Sequence, residues 1–370
     1  MIDPKHFTVI LKKSGVDFFT GVPDSLMKGF CSYIDNKSYH VSSTSEGSAI
    51  GLAIGYHLAT GKIPLVYLQN SGIGNIVNPI ISLVNKKVFK IPLLLLIGWR
   101  GETKNRKLSV KDEPQHNYQG FITEKLLKLM QVKYKIISSN SNYSLIIKKL
   151  INISKKNSAP VALLVRKNTF STFTAKKIKK INGLSRKEIL KIVLENIKNP
   201  NIVSTTGTLS RELLEFSEQN KKINNFYCVG GMGHATTIAS GIALHKKRKK
   251  IICLDGDGSA LMHLGSQVIN KNVNNILHVL INNGVHDSVG AQKTAGEDIK
   301  FYRVAKELGY KKTYLCKSPK DIIKAVKFFK KSNKSVFIEV LSKSGFSNNL
   351  PRPKEKLTYY KQNFMKNLRK

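Results

Sequence analysis

The sequence predicts an α/β protein made of two similar doubly wound domains, each a parallel sheet with helices on its faces. Three observations lead there. Short apolar and β-branched runs alternate with segments of near-helical spacing. A shift of 186 residues lays the first half on the second without a gap: Thr20-Gly21 falls on Thr206-Gly207, Gly47 on Gly233, Ala53 on Ala239, Leu68 on Leu254, Gly72 on Gly258 and Gly98 on Gly284. Two strand-like runs of the second half end in polar turns, Asp255-Gly256-Asp257-Gly258-Ser259 and Asn282-Asn283-Gly284. Small residues in glycine-rich helices match once by chance. Matches at every element boundary mark a duplication.

In chain order, Gly21-Val22-Pro23-Asp24-Ser25-Leu26 is a turn before a helix, with Asp24 an N-cap or a functional carboxylate. Glu46 sits just ahead of a helix running to about Ala59, and Ser43-x-x-Glu46 fits a capping box, in which the glutamate satisfies a free backbone N–H. The apolar runs 64–68 and 92–95 match 250–254 and 278–281 of the second half. The longest apolar run, 91–97, is too short to cross a bilayer and fits a buried parallel strand. Polar loops follow: Gly98 to Glu102, with the only tryptophan, and Asp112-Glu113-Pro114-Gln115-His116, where His116 is a surface residue or a functional one. Residues 176–183, basic and closed by glycine, are the expected linker. Beyond them, 249–254 reads as a strand, 259–270 as a helix and 275–281 as the next strand. The expected domains are 1–175 and 184–350, with a polar tail over 351–370.

Both polar turns therefore lie at the carboxyl ends of neighbouring strands in one βαβ unit, where open α/β sheets bind their ligands. Gly256 and Gly258 let backbone approach a phosphate, and the helix start after them favours an anion. Asp257 and Asn283 offer the hard oxygens that Mg²⁺ prefers. By the 186-residue shift Asp257 falls on Ser71 and Asn283 on Ile97, so only the second half has this set. At the matched helix start Glu46 stands opposite Met232, a carboxylate against a flexible thioether.

Composition narrows the function. The net charge is +39, yet basic residues are spread over nearly every predicted element and are not interleaved with aromatics on a recognisable module. Compositional bias is the simplest account, and no nucleic-acid partner is expected. The positive field would still speed the arrival of an anionic substrate. Residues 1–13 lack the apolar core of a signal peptide. Cys31, Cys228, Cys253 and Cys316 have no C-x-x-C spacing and read as reduced, buried thiols. A cytoplasmic protein without a membrane partner is the expectation.

G-D-G followed by N-N after a second strand resembles the fingerprint of the thiamine diphosphate-dependent decarboxylases. That resemblance implies the thiamine diphosphate-binding fold, with 1–175 as the pyrimidine-binding domain and 184–350 as the diphosphate and Mg²⁺ domain. It implies that Asp257, the Asn283 side chain and the Val285 carbonyl hold Mg²⁺, while Gly256, Gly258 and Ser259 line the diphosphate. Glu46 would hold a proton against N1′ of the aminopyrimidine, a role that a buried carboxyl of raised pKa suits. The Gly230 carbonyl would accept from the 4′-amino group, and Met232 would wedge the cofactor into its bent form; taken alone, Met232 reads as core filler. The implied assembly is a homo-oligomer with active sites between subunits.

Further segments are similar to the phosphonopyruvate decarboxylase family: G-V-P-D-S-L, E-G-S-A with G-Y-H-L-A-T-G-K, Q-N-S-G-x-G-N, G-W-R-G-E, K-D-E-P-Q-H and N-N-G-x-H-D-S-V-G-x-Q. The similarity runs end to end and departs at 103–109, a basic run in a loop that is shorter in the family. It implies decarboxylation of 3-phosphonopyruvate to phosphonoacetaldehyde in phosphonate biosynthesis, with Asp24, His116 and His286 joining Glu46 as catalytic groups. A phosphonate carries nearly two charges and three acceptor oxygens, so its site needs several donors. By position these are Ser25, Arg100, Ser288, Lys293 and Thr294. Arg100 reads equally as an interdomain salt bridge. The alternatives are a sulfopyruvate decarboxylase, a carboligating thiamine diphosphate synthase, or a basic nucleic-acid-binding protein on a degenerate enzyme fold.

Overall fold

The apolar runs become the inner strands of two parallel sheets in the computed structural model, which describes every residue except 105–106, 109–111, 174–182, 221, 297, 348 and 370. Residues 176–182 of the expected linker, and Lys111, thus lie outside the described residues. The chain divides into two compact units, Met1–Ile178 with Val289–Lys293, and Lys179–Ser288 with Thr294–Lys370.

We number the twelve strands of the two large sheets. The first unit has β1 (Phe19–Gly21), β2 (His40–Ser42), β3 (Leu65–Gln69), β4 (Leu94–Gly98), β5 (Lys133–Ile137) and β6 (Val161–Val165), in the spatial order β2-β1-β3-β4-β6-β5. The second has β7 (Asn201–Ser204), β8 (Asn224–Tyr227), β9 (Ile251–Gly256), β10 (Ile276–Asn282), β11 (Lys312–Cys316) and β12 (Val336–Leu341), in the order β8-β7-β9-β10-β12-β11. The topologies are identical and all pairings are parallel. The doubly wound duplication is the observed fold.

Each sheet is buried on both faces, so alternate residues of one strand feed two cores. Leu94 and Leu96 pack with Phe7, Phe19 and Phe30 on one side, while Leu93, Leu95 and Ile97 pack with Ile50, Ile73 and Trp99 on the other. In the second unit Ile252 and Leu254 face one core, and Ile251 and Cys253 the other. Lysine sits at the solvent-facing positions of the edge strands, Lys133 and Lys135 in β5 and Lys312 in β11, which discourages further strand pairing. All four cysteines are buried and free. No helix among the described residues is long and apolar enough to cross a membrane.

Three expectations need correction. Leu65 pairs with Leu94 where Ile251 pairs with Ile276, so the shift that is 186 at β3 becomes 182 at β4. The same change occurs at β1, since Phe19 pairs with Leu65 where Asn201 pairs with Ile251. A change of four keeps every side chain on its original face, so the apolar pattern does not reveal it. The helix expected over 259–270 starts at Asp257 and ends at Met262, and 3-10 turns continue it over Leu264–Asn272. The expected tail contains a helix, Leu357–Arg369, whose Phe364 and Leu368 enter the core. Its apolar residues recur at helical spacing among lysines, and Asn224 Nδ2 ties it to β8 by donating to the Phe364 carbonyl at 3.2 Å.

Candidate functional site

The loops after β1, β2, β3 and β4 leave the carboxyl edge of the first sheet, around the β1–β3 switch point. Glu46 opens the helix Glu46–Thr60 but does not cap it. Ser45 is the N-cap and accepts from the Ser48 N–H at 3.3 Å, while Ser43 Oγ donates to the Ser45 carbonyl. The Glu46 carboxylate instead packs over Gly72, where a Cβ would lie 2.4 Å from Oε1. Its other oxygen accepts from Asn75 Nδ2 at 2.8 Å. Burial raises this carboxyl above its usual range, and the Asn75 amide only partly opposes that. A buried acid of raised pKa is thus present where the sequence placed one.

Asp24 is fully buried, with Oδ2 accepting from the Leu26 N–H at 3.0 Å. It is therefore the cap of the short turn Ser25–Met27, on which Ser25 is half-buried. Capping uses one oxygen only, and the buried Oδ1 has no hydrogen-bond partner among the described residues. Burial pushes the carboxyl up to about 6, opposed by backbone N–H groups and by the charge of Arg100. Arg100 forms a fork with Asp112, Nε to Oδ2 at 3.0 Å and Nη2 to Oδ1 at 2.6 Å. That pairing lies within one unit. Burial works to raise the Asp112 carboxyl, but the Arg100 fork, the Glu113 N–H and the charges of Arg100 and His116 together outweigh it and hold the group below its usual range. Asn70 fixes the Arg100 backbone from both sides, accepting from its N–H at 3.2 Å and donating to its carbonyl at 2.8 Å. His116 is buried near the start of the helix Pro114–Leu129, 3.9 Å from Glu113, and is not a surface residue.

In the second unit the loops after β7, β8, β9 and β10 surround the corresponding switch point, between β7 and β9. Ser259 joins three of them. Its hydroxyl accepts from the Gly233 N–H at 3.1 Å and meets Thr205 Oγ1 at 2.8 Å. Ser259 therefore shapes the loops as well as being a candidate phosphate donor. Gly230 and Met232 are half-buried in the loop before the helix Ala235–His245, so Met232 is not core filler. Asp257 is 2 % exposed and accepts from Thr294 Oγ1 at 2.5 Å. Burial pushes its carboxyl up to about 6; the Thr294 hydroxyl and backbone N–H groups oppose this, and the Asp287 charge reinforces it. Thr294, expected as a substrate donor, has its hydroxyl committed to Asp257.

Asn282 is tied inward, donating to Glu339 Oε1 at 2.9 Å. Asn283 donates to Asp287 Oδ2 at 2.7 Å, while its Oδ1 accepts from the Val285 N–H at 3.2 Å. The His286 ring lies against Gly258, where a Cβ would meet Cε1 at 2.6 Å. Burial lowers this imidazole to about 4, so it is neutral at pH 7. Ser288 is exposed in the turn Asp287–Val289. Lys293 groups with the first unit, its N–H donating to Asp35 Oδ2 at 3.3 Å.

The structure thus brings together Asp24, Ser25, Arg100 and His116 near the edge of one sheet, and Asp257, Asn283, Val285, Thr294 and His286 near the edge of the other. Sequence reasoning missed Asn75 and Asp112 as partners, although both lie inside motifs it singled out. It missed Arg186 and Glu212 altogether.

Comparison with known proteins agrees with the two-domain fold. The model of the thiamine pyrophosphate enzyme N-terminal TPP binding domain matches residues 5–123, and that of the C-terminal TPP binding domain matches residues 204–340. A phosphonopyruvate decarboxylase of Streptomyces viridochromogenes is 29% identical, covering 96% of this chain and 92% of that protein. A sulfopyruvate decarboxylase of Methanosarcina acetivorans is 25% identical, with 97% and 96% covered. The sulfopyruvate decarboxylase subunit alpha of Methanococcus maripaludis is 36% identical over 41% of this chain and 87% of its own length. The chain belongs to the thiamine pyrophosphate enzymes. Its activity is that of a thiamine diphosphate-dependent decarboxylase, and it resembles the phosphonopyruvate decarboxylases with sulfopyruvate decarboxylase next.

Proposed function

We propose that this chain converts 3-phosphonopyruvate to phosphonoacetaldehyde and CO₂ with thiamine diphosphate and Mg²⁺, as a cytoplasmic homo-oligomer serving phosphonate biosynthesis. The observation that carries the substrate is the end-to-end similarity to phosphonopyruvate decarboxylases, at 29% identity over 96% of the chain.

The residues present fit Mg²⁺. Asp257 is a buried carboxylate whose charged neighbour, Asp287, is also a carboxylate, an arrangement that a divalent cation relieves. Asp257, Asn283 and the Val285 carbonyl would hold the metal, with Gly256, Gly258 and Ser259 along the diphosphate. Gly230 and Met232 would set the cofactor's bend. When bound, thiamine diphosphate supplies the electron sink that takes the pair left by departing CO₂.

The chain's own groups do the rest. Glu46 would exchange a proton with the aminopyrimidine N1′ from a buried site in which its carboxyl lies above its usual range. His286, which is neutral at pH 7, His116 and Asp24 would move protons near the substrate. Arg100, Ser25, Ser288 and Lys293 supply phosphonate donors, and Thr294 orients Asp257. A second reading, sulfopyruvate as substrate, is favoured by the match to a single-chain sulfopyruvate decarboxylase at 25% identity. Release of CO₂ from phosphonopyruvate, sulfopyruvate and pyruvate, measured side by side, tests the proposal. The expected result is a kcat/KM for phosphonopyruvate about tenfold or more above that for sulfopyruvate. A preference for sulfopyruvate overturns it.

A further inference from the structure

Arg186, the first residue of the helix Arg186–Glu195, is buried among charges that the reaction does not use. Its Nε donates to Glu212 Oε2 at 2.7 Å, its Nη2 to Glu212 Oε1 at 3.3 Å, and its Nη1 to Asp287 Oδ2 at 3.2 Å. Nη2 also reaches the Gly345 carbonyl at 3.2 Å, and the Gly345 N–H donates to Asp287 Oδ1 at 3.0 Å. The three side chains are 7%, 2% and 5% exposed. One guanidinium thus stands between two buried carboxylates, leaving one negative charge in excess within the trio.

Stability alone does not account for such a cluster. Apolar residues of similar volume often serve a fold equally well, because desolvation cancels much of the attraction. Geometry supplies a reason. Asp287 Oδ2, held by Arg186, also accepts from Asn283 Nδ2 at 2.7 Å. An amide has a donor end and an acceptor end of nearly equal shape. With Nδ2 committed to Asp287, Oδ1 is the end left for a metal, and it already accepts from the Val285 N–H at 3.2 Å. A flipped amide would turn two N–H donors toward the cation.

We propose that Arg186, Glu212 and Asp287 form a positioning cluster that sets the Asn283 amide with its oxygen toward the metal. Glu212 orients the guanidinium, the guanidinium orients Asp287, and Asp287 orients the amide. The excess negative charge adds attraction for a divalent ion. This inference rests on the assignment of Asn283 as a metal ligand.

The test is a Mg²⁺ titration of purified full-length protein with thiamine diphosphate present, read as the rise in melting temperature. Asp287→Leu should leave the metal-free melting temperature within a few degrees of the native value while raising the Mg²⁺ half-saturation about tenfold or more. At saturating Mg²⁺ its kcat should recover. Asp287→Asn keeps an acceptor for the Asn283 amide but loses the charge, so it should fall between Leu and native; it also serves if the Leu variant fails to fold. In an Asn283→Ala background, Asp287→Leu should weaken Mg²⁺ far less than it does alone, because the amide it orients is gone. An unchanged half-saturation in Asp287→Leu or Asp287→Asn overturns this inference alone, as does full additivity with Asn283→Ala. A native chain whose melting temperature does not respond to Mg²⁺ overturns the metal assignment and this inference with it.

Discussion

Each unit buries an aspartate in the loops at the carboxyl edge of its sheet whose carboxyl is strongly raised, Asp24 in the first and Asp257 in the second. Burial pushes both up to about 6. Their charged neighbours differ. Asp24 has the guanidinium of Arg100 working against its burial, with the Arg100 partner Asp112 adding to it more weakly, whereas Asp257 has Asp287 working with its burial. One unit therefore sets an ion pair beside the buried acid, and the other places a second acid there. The same fold thus supports two electrostatic roles: a self-neutralised site suited to handling protons and anions, and an electronegative one suited to a metal. Glu46 extends the contrast, since its neighbours Asn75 and Gly72 bring no charge at all.

The largest expected effect concerns that uncharged setting. Glu46→Gln keeps the size and the Asn75 contact but cannot give or take the proton. Exchange of the cofactor C2–H with D₂O, followed by NMR after acid quench, should slow by roughly two to four orders of magnitude. Cofactor affinity should stay close to native. Unchanged exchange would show that the buried acid is structural and that the unit's role is binding alone.

The next prediction sets Asp24 directly against Asp257. A carboxyl whose folded pKa lies above its unfolded value stabilises the fold while protonated, below about pH 4, relative to its state at higher pH. That stability is lost as pH rises through about 6. Above that the penalty is of the order of 3 kcal/mol for a fully buried group. Asp24→Asn should therefore be more stable than the native chain at pH 7, by up to about 3 kcal/mol in urea unfolding, and equal to it near pH 4. Asp257→Asn should gain similarly without metal. Adding Mg²⁺ and thiamine diphosphate should erase the advantage of Asp257→Asn by stabilising the native chain, and leave that of Asp24→Asn in place. If Mg²⁺ erases both or neither, the two carboxylates do not have separate roles.

How much of this was legible in the sequence follows from distance along the chain. Asp257 and Asn283 could be singled out as candidates because two short turns at the ends of neighbouring strands carry them. The doubly wound fold was readable because buried strands such as Val161–Val165 are unbroken apolar runs. The strand register was not, because a slip of four residues leaves each side chain on its face and each core intact. Partnerships were the hardest to see. Glu46 meets Asn75 across 29 residues, and Arg186 meets Asp287 across 101. No local pattern encodes such pairs, since they exist only once the strands are ordered. The capping box at Ser43 failed for a related reason: Ser45 offers an equivalent hydroxyl two residues nearer the helix, which frees Glu46 to turn inward.

The smallest expected effect tests whether the cation of the first unit serves the substrate or only its own carboxylates. Arg100 forms its fork with Asp112 while its charge also acts on Asp24. An arriving phosphonate can turn two of its three oxygens to the fork, as Asp112 does, and carries more charge, so it can compete for the guanidinium. Arg100→Lys keeps the charge, and with it the field on Asp24, but presents a point donor where two parallel N–H groups stood. The loss of about one charge-assisted hydrogen bond, near 1 kcal/mol, should raise the KM for phosphonopyruvate about fivefold. Turnover of bound substrate should change less, because the lysine still balances the acids around it. If KM and the preference over pyruvate are both unchanged, Arg100 serves Asp112 and Asp24 alone, and the phosphonate is held by other donors.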